Sequence, residues 1–568
     1  MNQSHDTQAM MHTSLFKKIA LGAAVVGLLG ACSQEPVRES ATLGSFASSG
    51  QVNSLNASSV SAYAAARFAE QASFGASPAT VAAIQQMGFE RWIDQQFTLA
   101  VSEADVKPFL EYRDPQPPEE HRRYEAMFPD MAVGAQDQLR LRVAWALSQF
   151  IVVSDRTIDR VGVLYWFNML QRNALGRYDQ LLYDVSVSPA MGVYLNNNQN
   201  RPKSAECQHC APNENFAREL MQLFSLGVVK LTADGQSIRN PDGSFAESYT
   251  QRDVEEMARV LTGWQNDPSP NNRPQRNYAN WGKPMIPSTW PPERDSGSKV
   301  VLGKVFPANQ SQEKDLRDAI DLLMSHQNIA PFVAIRLIQH LVKSDPSPAY
   351  VARVASVFRN NGQSVRGDMK AVVKAVLLDA EARRGDDPKF AAATDGKIRE
   401  PLLHFTAAWR GLGCERAPSN EWGLSLPGTQ RPFNAESVFS FYAPTDRAPG
   451  SNLLAPEQRI VTTGELTQRL SLNSNLVRWS PDDPPAALSA FRASRCEIDK
   501  FVDAYASSPS DFAKILSDRF FRGAMPYALR YDIEQLIKRP QWNANSPEQG
   551  ALRMIDYALS SPYFGVIR

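Results

Sequence analysis

The chain has 568 residues, of which 43% are hydrophobic, and its 60 lysines and arginines balance 60 aspartates and glutamates. That length and apolar content suffice for a large core in one or two lobes and exclude a disordered body. Because the charges cancel, no overall field would attract nucleic acid or an anionic membrane surface, so we expect no nucleic-acid partner.

The N-terminal segment has the pattern of an export signal. Lys17 and Lys18 precede about a dozen apolar or small residues at 19–30, which form a signal-peptide core too short to span a bilayer. The stretch ends in Gly30-Ala31-Cys32, which resembles the bacterial lipobox, whose cysteine is diacylated and becomes the new N-terminus. Residues 1–32 are therefore predicted to be a lipoprotein signal peptide with Cys32 as the lipidation site; an ordinary secretory signal is the alternative.

The predicted location is the cell envelope, on a lipid anchor. Ser33 follows the cysteine, which by analogy with proteobacterial sorting favours the outer membrane over the inner one. Residues 33–61 are rich in Ser, Ala and Gly and are predicted to be a flexible linker, long enough to hold the body roughly 30 Å from the bilayer. Residues 62–568 form the body.

Helical periodicity dominates the body, and alternating strand patterns are few. We predict an all-α fold, a large multi-helix body with minor hairpins and long Pro-rich loops at 267–292 and 479–485. Helical patterns run through 62–71, 78–97, 136–154, 316–326, 330–342, 349–358 and 369–378.

Two further helices enclose a turn-rich excursion. The first, at 213–226, is amphipathic, with Pro212 suited to its first turn and Gly227 to its end. The second begins at Thr250 with a capping box completed by Asp253 and ends at Gly263. Turn signals at 234–235 and 240–243 predict an irregular or hairpin segment between them.

Four cysteines remain once Cys32 is assigned to lipid, an even number suited to an oxidising compartment. The simplest pairing joins Cys207 to Cys210 and Cys414 to Cys496. The Cys207–Cys210 segment is interpreted first as a structural disulfide, with a redox-active pair or half of a metal site as alternatives.

Several ordered motifs resemble the bacterial family catalogued as domain of unknown function 1800, from about Arg67 to the C-terminus. The motifs are Arg67-Phe68, 71–75, 213–220, 253–264, Asp295 with Lys299, 326–332, 437–444 and 560–562. Two positions depart from the family pattern: Gln222 stands where a Glu is frequent, and Arg294 where a His is frequent. The resemblance also implies a partner, because the family is said to be encoded beside exported proteins that resemble sulfatases and alkaline phosphatases.

The helix after Pro212 carries the best candidates for chemistry. Glu214, Arg218 and Glu219 share its polar side, with Asn213 and Asn215 next to them. Glu214 or Glu219, together with Arg218 and Asp253, is a candidate acid/base group, since a carboxyl of raised pKa donates a proton while a paired one stays ionised. The alternative is an ion-pair network that clamps this helix to the one that carries Asp253.

Further residues are candidates for ligand binding, namely Arg259, Trp264, Asp295 and Lys299. Trp264 could stack on a sugar ring or cover an edge of the core, and Asp295 with Lys299 could be a loop ion pair. The histidines lack a second ligand at metal spacing, so no metal site is predicted, and the cofactor is left unknown.

Two functions remain open. The first is an envelope-anchored protein that binds or helps to process a surface or extracellular polymer, with a sulfatase-like partner. The second is an all-α polysaccharide hydrolase or lyase that uses paired carboxylates. The first is favoured because the sequence has no nucleophile elbow, zinc-protease motif, phosphate loop or dinucleotide fingerprint.

Overall fold

The computed structural model describes residues 60–110, 118–269, 280–417, 430–476, 485–539 and 546–568. The signal peptide, Cys32 and nearly all of the linker lie outside these residues. Ser61, at the end of the predicted linker, caps the first helix, because the Ala64 N–H donates to its Oγ at 3.1 Å.

The described residues contain 22 α-helices. The first eleven are α1 Ala62–Ala72, α2 Pro78–Met87, α3 Phe89–Thr98, α4 Pro118–Gly134, α5 Gln138–Ser148, α6 Arg160–Asn173, α7 Tyr178–Ser186, α8 Pro189–Tyr194, α9 Asn215–Gln222, α10 Gln251–Val260 and α11 Gln312–Ser325. The others are α12 Ile329–Leu341, α13 Pro348–Arg359, α14 Met369–Leu378, α15 Ala380–Arg383, α16 Pro401–Gly411, α17 Thr463–Leu476, α18 Pro485–Ala493, α19 Ile498–Ser507, α20 Pro509–Phe520, α21 Tyr527–Lys538 and α22 Pro547–Leu559.

Strands are short and occur as three antiparallel pairs in the described ranges. β1 Trp264–Gln265 pairs with β2 Ile286–Pro287, β3 Lys299–Val301 with β4 Lys304–Phe306, and β5 Lys397–Ile398 with β6 Val566–Ile567. The predicted all-α fold with minor hairpins is therefore confirmed.

The core is centred on helices that are buried on nearly every side. All residues of α5 and α16 are buried, as are most of α12, and α12 packs against α5, α13 and α14. A helix that is covered on every side lies in the interior of a large protein. Arg142 on α5 also lies in this core and donates to the His340 carbonyl at 2.6 Å.

Some predicted helices differ from the observed ones in number or length. The single helix expected at 78–97 is two helices, α2 and α3, because Gly88 has a φ of 79° that interrupts the helical path. The helix expected at 213–226 is shorter, Asn215–Gln222, with Glu214 rather than Pro212 at its start. Gly227, which was predicted to end this helix, has a φ of 73° but lies beyond its observed end at Gln222.

Residues 228–248 form the predicted irregular hairpin, with isolated bridges such as Val229 to Glu247 and Arg239 to Phe245. Asn328 fixes its base, because its Nδ2 donates to the carbonyls of Leu226 at 2.9 Å and Val229 at 2.7 Å. This anchor holds the end of α9 and the start of the hairpin against α12.

Both cysteine pairings expected from the sequence are present as disulfides, Cys207–Cys210 and Cys414–Cys496. The Pro-rich loop at 267–292 is described except for 270–279 and contributes β2, whereas 479–484 of the second loop lie outside the described residues. No helix in the described ranges has the length and hydropathy needed to cross a membrane.

Candidate functional site

The entrance to α9 is fixed by a loop rich in asparagine, residues 196–200, which we call the asparagine loop. The Asn213 N–H donates to Asn200 Oδ1 at 2.7 Å, and the Asn200 carbonyl accepts from the Gly263 N–H at 2.9 Å. Asn196 and Gln199 have φ values of 57°, a left-handed conformation that asparagine tolerates better than most residues. The loop therefore joins the N-terminus of α9 to the end of α10.

Glu214 and Arg218 form the predicted pair four residues apart, and both are about one-third exposed. Arg218 Nη2 lies 2.7 Å from Glu214 Oε2 and also donates to Gln251 Oε1 at 3.0 Å. Gln251 Nε2 returns a hydrogen bond to Glu214 Oε2 at 2.9 Å. This triangle links α9 to the first turn of α10 and keeps the Glu214 carboxylate at the protein surface.

Glu219 lies on the other side of α9 and is nearly buried, with 9% of its surface exposed. Its Oε2 is buried and has no hydrogen-bond partner in the described part of the chain. Burial raises the pKa of Glu219 to about 7, although the nearby Arg218 acts in the opposite direction. Near neutral pH, comparable fractions of the molecules therefore carry Glu219 in its protonated and in its ionised form.

Two tyrosines are the electrostatic neighbours of Glu219. Tyr194 ends α8 and Tyr249 precedes the cap of α10; burial, with a contribution from Glu219, raises the pKa of each to about 12. The Tyr249 hydroxyl donates to Gln222 Oε1 at 3.4 Å, so it lies one helical turn or less from Glu219 along α9. Both phenols stay protonated at neutral pH and can donate hydrogen bonds.

Asp253 and Arg259 on α10 bind a different part of the molecule. Asp253 completes the predicted capping box with Thr250, and its Oδ1 accepts from the Leu302 N–H at 2.7 Å. Although burial acts to raise it, hydrogen bonds from Thr250 and Leu302 hold the pKa of Asp253 below its ordinary value. Asp253 therefore links α10 to the turn of the β3–β4 hairpin.

Arg259 forms a fork with Asp295, at 2.8 Å from Nε and 3.1 Å from Nη2, and also pairs with Glu256. Lys299 is buried and pairs with Asp315 at 3.1 Å, rather than with Asp295 as the sequence suggested. Arg294 also binds Asp315. These partners fix the hairpin and its preceding loop, and none of these hydrogen bonds or ion pairs reaches Glu214 or Glu219.

Trp264 does not offer a sugar-stacking surface, because only 2% of it is exposed. Its carbonyl accepts from the Gln199 N–H at 2.7 Å, so the residue secures the asparagine loop. Trp290 is 42% exposed, and the Arg201 guanidinium lies 5.6 Å from its ring centroid. Of the two, Trp290 is the accessible ring.

The structure thus separates the candidates into two groups. Asn213, Glu214, Arg218 and Glu219 come together on α9, and we call them, with Tyr194, Tyr249 and Gln251, the Glu219 site. The side chain of Asn215 is exposed, and its N–H is bound by Asn213 Oδ1 at 3.0 Å. Asp253, Arg259, Asp295 and Lys299 form the second group, around the β3–β4 hairpin.

Sequence reasoning missed the two tyrosines and the asparagine loop. The run of amide side chains at 196–200 was the available signal, because so many amides in succession exceed what a solvated turn requires. Tyr194 and Tyr249 lie 55 residues apart in the sequence, so their approach to Glu219 depends on the fold.

The arrangement can perform two kinds of chemistry. A carboxyl with a pKa near 7 can donate or accept a proton at physiological pH, and Glu214, which pairs with Arg218, is a second carboxyl on the same segment. The same donors and acceptors can bind hydroxyl groups without any reaction. In the described ranges no group of three or more His, Cys, Asp or Glu side chains is arranged to hold a metal ion.

Comparison with known proteins adds one match. No curated protein and no solved structure matches the chain. A family model described as "Protein of unknown function (DUF1800)" matches residues 67–566. That range includes both groups of polar residues and nearly the whole body, so the chain belongs to the DUF1800 family.

Proposed function

We propose that this protein works at the cell envelope on a lipid tether, where it binds a surface or extracellular polysaccharide at the Glu219 site. There it helps an exported sulfatase-like partner to process the polymer. The observation that carries this proposal is the buried Glu219 carboxyl, whose Oε2 has no partner among the described residues. A buried polar atom without a partner costs stability unless a ligand satisfies it.

A polyhydroxylated ligand fits the groups around that carboxyl. A carboxyl with a pKa of about 7 can accept a hydrogen bond or donate one, the Tyr194 phenol is a further donor, and the Tyr249 hydroxyl, which donates to Gln222, can accept one. Glu214 and Arg218, about one-third exposed, supply charged partners at the rim. Sugars carry vicinal hydroxyls that donate and accept in the same way, so a carbohydrate can satisfy this set without a metal or cofactor.

A polysaccharide hydrolase or lyase is the second candidate, and the pKa of Glu219 favours it. An acid/base pair requires two carboxyls in unlike environments, one neutral and one ionised. Glu219 is buried and unpaired at Oε2, whereas Glu214 is held by Arg218. In a hydrolase, protonated Glu219 would donate a proton to the leaving oxygen while water replaces that oxygen at the sugar carbon. In a lyase, ionised Glu219 would remove a proton from a sugar carbon, and a C=C bond would form as the leaving oxygen departs.

Equilibrium binding and turnover, measured on the same glycan panel, distinguish the two functions. The full chain, purified in mild detergent, is compared with Glu219→Gln and Glu214→Gln, and with Glu313→Gln as a matched control at an exposed position on α11. If the protein only binds, Glu219→Gln weakens affinity about 5-fold, the worth of one ordinary hydrogen bond, and no glycan is cleaved. If it is an enzyme, the variant loses about 10²- to 10⁴-fold in turnover while retaining affinity.

The proposal fails if no glycan binds the full chain, or if Glu313→Gln and Glu219→Gln weaken binding equally. Circular dichroism and thermal unfolding of each variant show whether the fold persists. Cleavage that is unaffected by Glu219→Gln would also reject the role of this residue in the second candidate.

A further inference from the structure

A small cleft lies beyond the C-terminal end of α9. It is bounded by the end of α5, by α12 and by the turn at 437–444, and its lining includes Gln149, Leu223, Arg336, His340, Phe439 and Ser440. Its volume is about 40 Å³, which is room for a few water molecules and too little for a sugar ring. The cleft can therefore admit a single substituent of a larger ligand.

Arg336 is the charged group in this cleft. Its guanidinium lies 4.7 Å from the ring centroid of Phe332, and it forms no hydrogen bond or ion pair with a described residue. Arg336 is partly exposed, whereas fully buried arginines of the protein have oxygen partners: Arg399 donates to Glu70 at 2.8 Å, and Arg410 to the Val133 carbonyl at 2.7 Å. A guanidinium has five N–H donors, so Arg336 retains its capacity to bind an oxyanion.

The groups that face Arg336 leave this positive charge uncompensated. His340 is buried between the rings of Phe150 and Tyr442, and burial, assisted by Lys397, lowers its pKa to about 3, so it is neutral. Behind it, the carboxylates of Glu400 and Glu457 form ion pairs with Lys397 Nζ, at 2.9 and 3.2 Å. Among the described residues, no carboxylate lines the cleft itself.

Polar and apolar walls complement the guanidinium. Ser440, in the left-handed conformation with a φ of 61°, directs its hydroxyl to Gln149 Oε1 at 3.3 Å. A hydroxyl held only by a long hydrogen bond can turn to an incoming oxyanion. Phe439 is 51% exposed at the cleft and offers an apolar face to the rest of a ligand.

The cleft and the Glu219 site lie along one face of α9. Leu223, which lines the cleft, is four residues after Glu219, and its N–H donates to the Glu219 carbonyl at 2.9 Å. Residues four apart in a helix lie on the same face with Cβ atoms about 5–6 Å from each other. One helical turn, comparable to the length of a sugar ring, therefore separates the two.

We propose that the Arg336 cleft binds the oxyanion substituent, a carboxylate or a sulfate, of an acidic polysaccharide whose adjoining sugar lies at the Glu219 site. This inference rests on the proposed function and names its substrate class. Arg336 provides the charge, Ser440 a hydroxyl contact, and the size of the cleft limits what enters to the substituent itself.

The test measures affinity of the full chain for three oligosaccharides of matched length, one neutral, one with uronic-acid carboxylates and one with sulfate esters. We expect at least one acidic series to bind about tenfold or more tighter than the neutral one, as for a charge-assisted hydrogen bond. Arg336→Gln should abolish that preference and preserve the neutral affinity. Arg336→Lys should retain part of it, since the charge remains but the planar fork is lost.

Arg492→Gln is the matched control, since this exposed arginine pairs with Asp499 on the surface. Sodium acetate and sodium sulfate, titrated alone, probe the cleft without any sugar. If Arg336→Gln does not fold, Ser440→Ala replaces it in the affinity comparison. Equal affinity of the full chain for neutral and acidic series overturns this inference and leaves the proposed function intact. Anion binding that depends on Arg336, with no oligosaccharide bound, would instead reject the proposed function and retain the anion site.

Discussion

At the scale of single residues, the raised pKa of Glu219 makes the stability of the folded protein depend on pH. Its pKa is about 7 in the folded chain and 4.5 as a reference value. Between these values the folded state holds a proton that the unfolded state has released, so stability falls as pH rises from about 4.5 through 7. Glu219→Gln cannot titrate, and its unfolding midpoint should fall less across this range than that of the unmodified chain.

Urea unfolding followed by circular dichroism from pH 4 to pH 9 measures this effect. Glu313→Gln, which removes an exposed carboxylate elsewhere, controls for the loss of one negative charge. Parallel midpoints for the Glu219 variant and the unmodified chain would show that this carboxyl titrates as an ordinary one, and would remove the physical basis for a proton donor at the site.

The sequence predicted some of the side-chain pairs of the site and missed others. It predicted the Glu214–Arg218 pair, because spacing along a helix fixes such neighbours. It could not separate Glu219 from Glu214, since the burial that raises the pKa of Glu219, like its approach to Tyr194 and Tyr249, arises only through the fold. Lys299 was assigned Asp295 as its partner, but the tertiary packing of α11 supplies Asp315.

At the scale of elements, the capping box of α10 also attaches the β3–β4 hairpin. Asp253→Ala removes the hydrogen bonds to Thr250 and the one from the Leu302 N–H, whereas Thr250→Ala removes only the cap. We expect Thr250→Ala to lower the free energy of unfolding by about 1 kcal/mol and Asp253→Ala by about 2 kcal/mol. Chemical denaturation checks both values, and glycan affinity at a temperature where the variants are folded should be unchanged.

This comparison decides the role of Asp253, which the sequence offered as a candidate acid/base group. A structural residue loses stability without losing function under folding conditions. If Asp253→Ala keeps its stability and loses binding or turnover, Asp253 belongs to the functional site, and its assignment to the hairpin is wrong.

Local signals predicted elements well where the helix boundary depends on a single residue. Thr250 with Asp253 marks the start of α10 through capping and was predicted, whereas α9 ends at Gln222, before Gly227 and its positive φ. The split at Gly88 was not, because the apolar periodicity continues across it into α3. Helices such as α5 and α16 bury polar residues, including Arg142 and Arg410, that a period-based analysis assigns to the surface.

At the scale of the whole molecule, the family match and the fold concern the body, whereas the proposed envelope location rests on the sequence of the first 32 residues. The body buries its own core and has helices too short or too polar to span a bilayer in the described ranges. The predicted lipid anchor is at Cys32, which makes Cys32 the residue to test.

Cys32→Ser should abolish acylation and release the protein from membranes. One acyl chain gives only marginal membrane binding, whereas two or more hold a protein firmly, because each buried methylene contributes about 0.8 kcal/mol. Cells that express the full chain are labelled with radioactive palmitate, and membrane and soluble fractions are compared. Cys207→Ser is the matched control, since it removes another cysteine that the structure places in a disulfide. The lipid tether would be refuted if Cys32→Ser still incorporated radioactive palmitate, or if the unlabelled variant stayed in the membrane fraction. The Glu219 site and the Arg336 cleft would then have to bind their ligand without a lipid tether at Cys32.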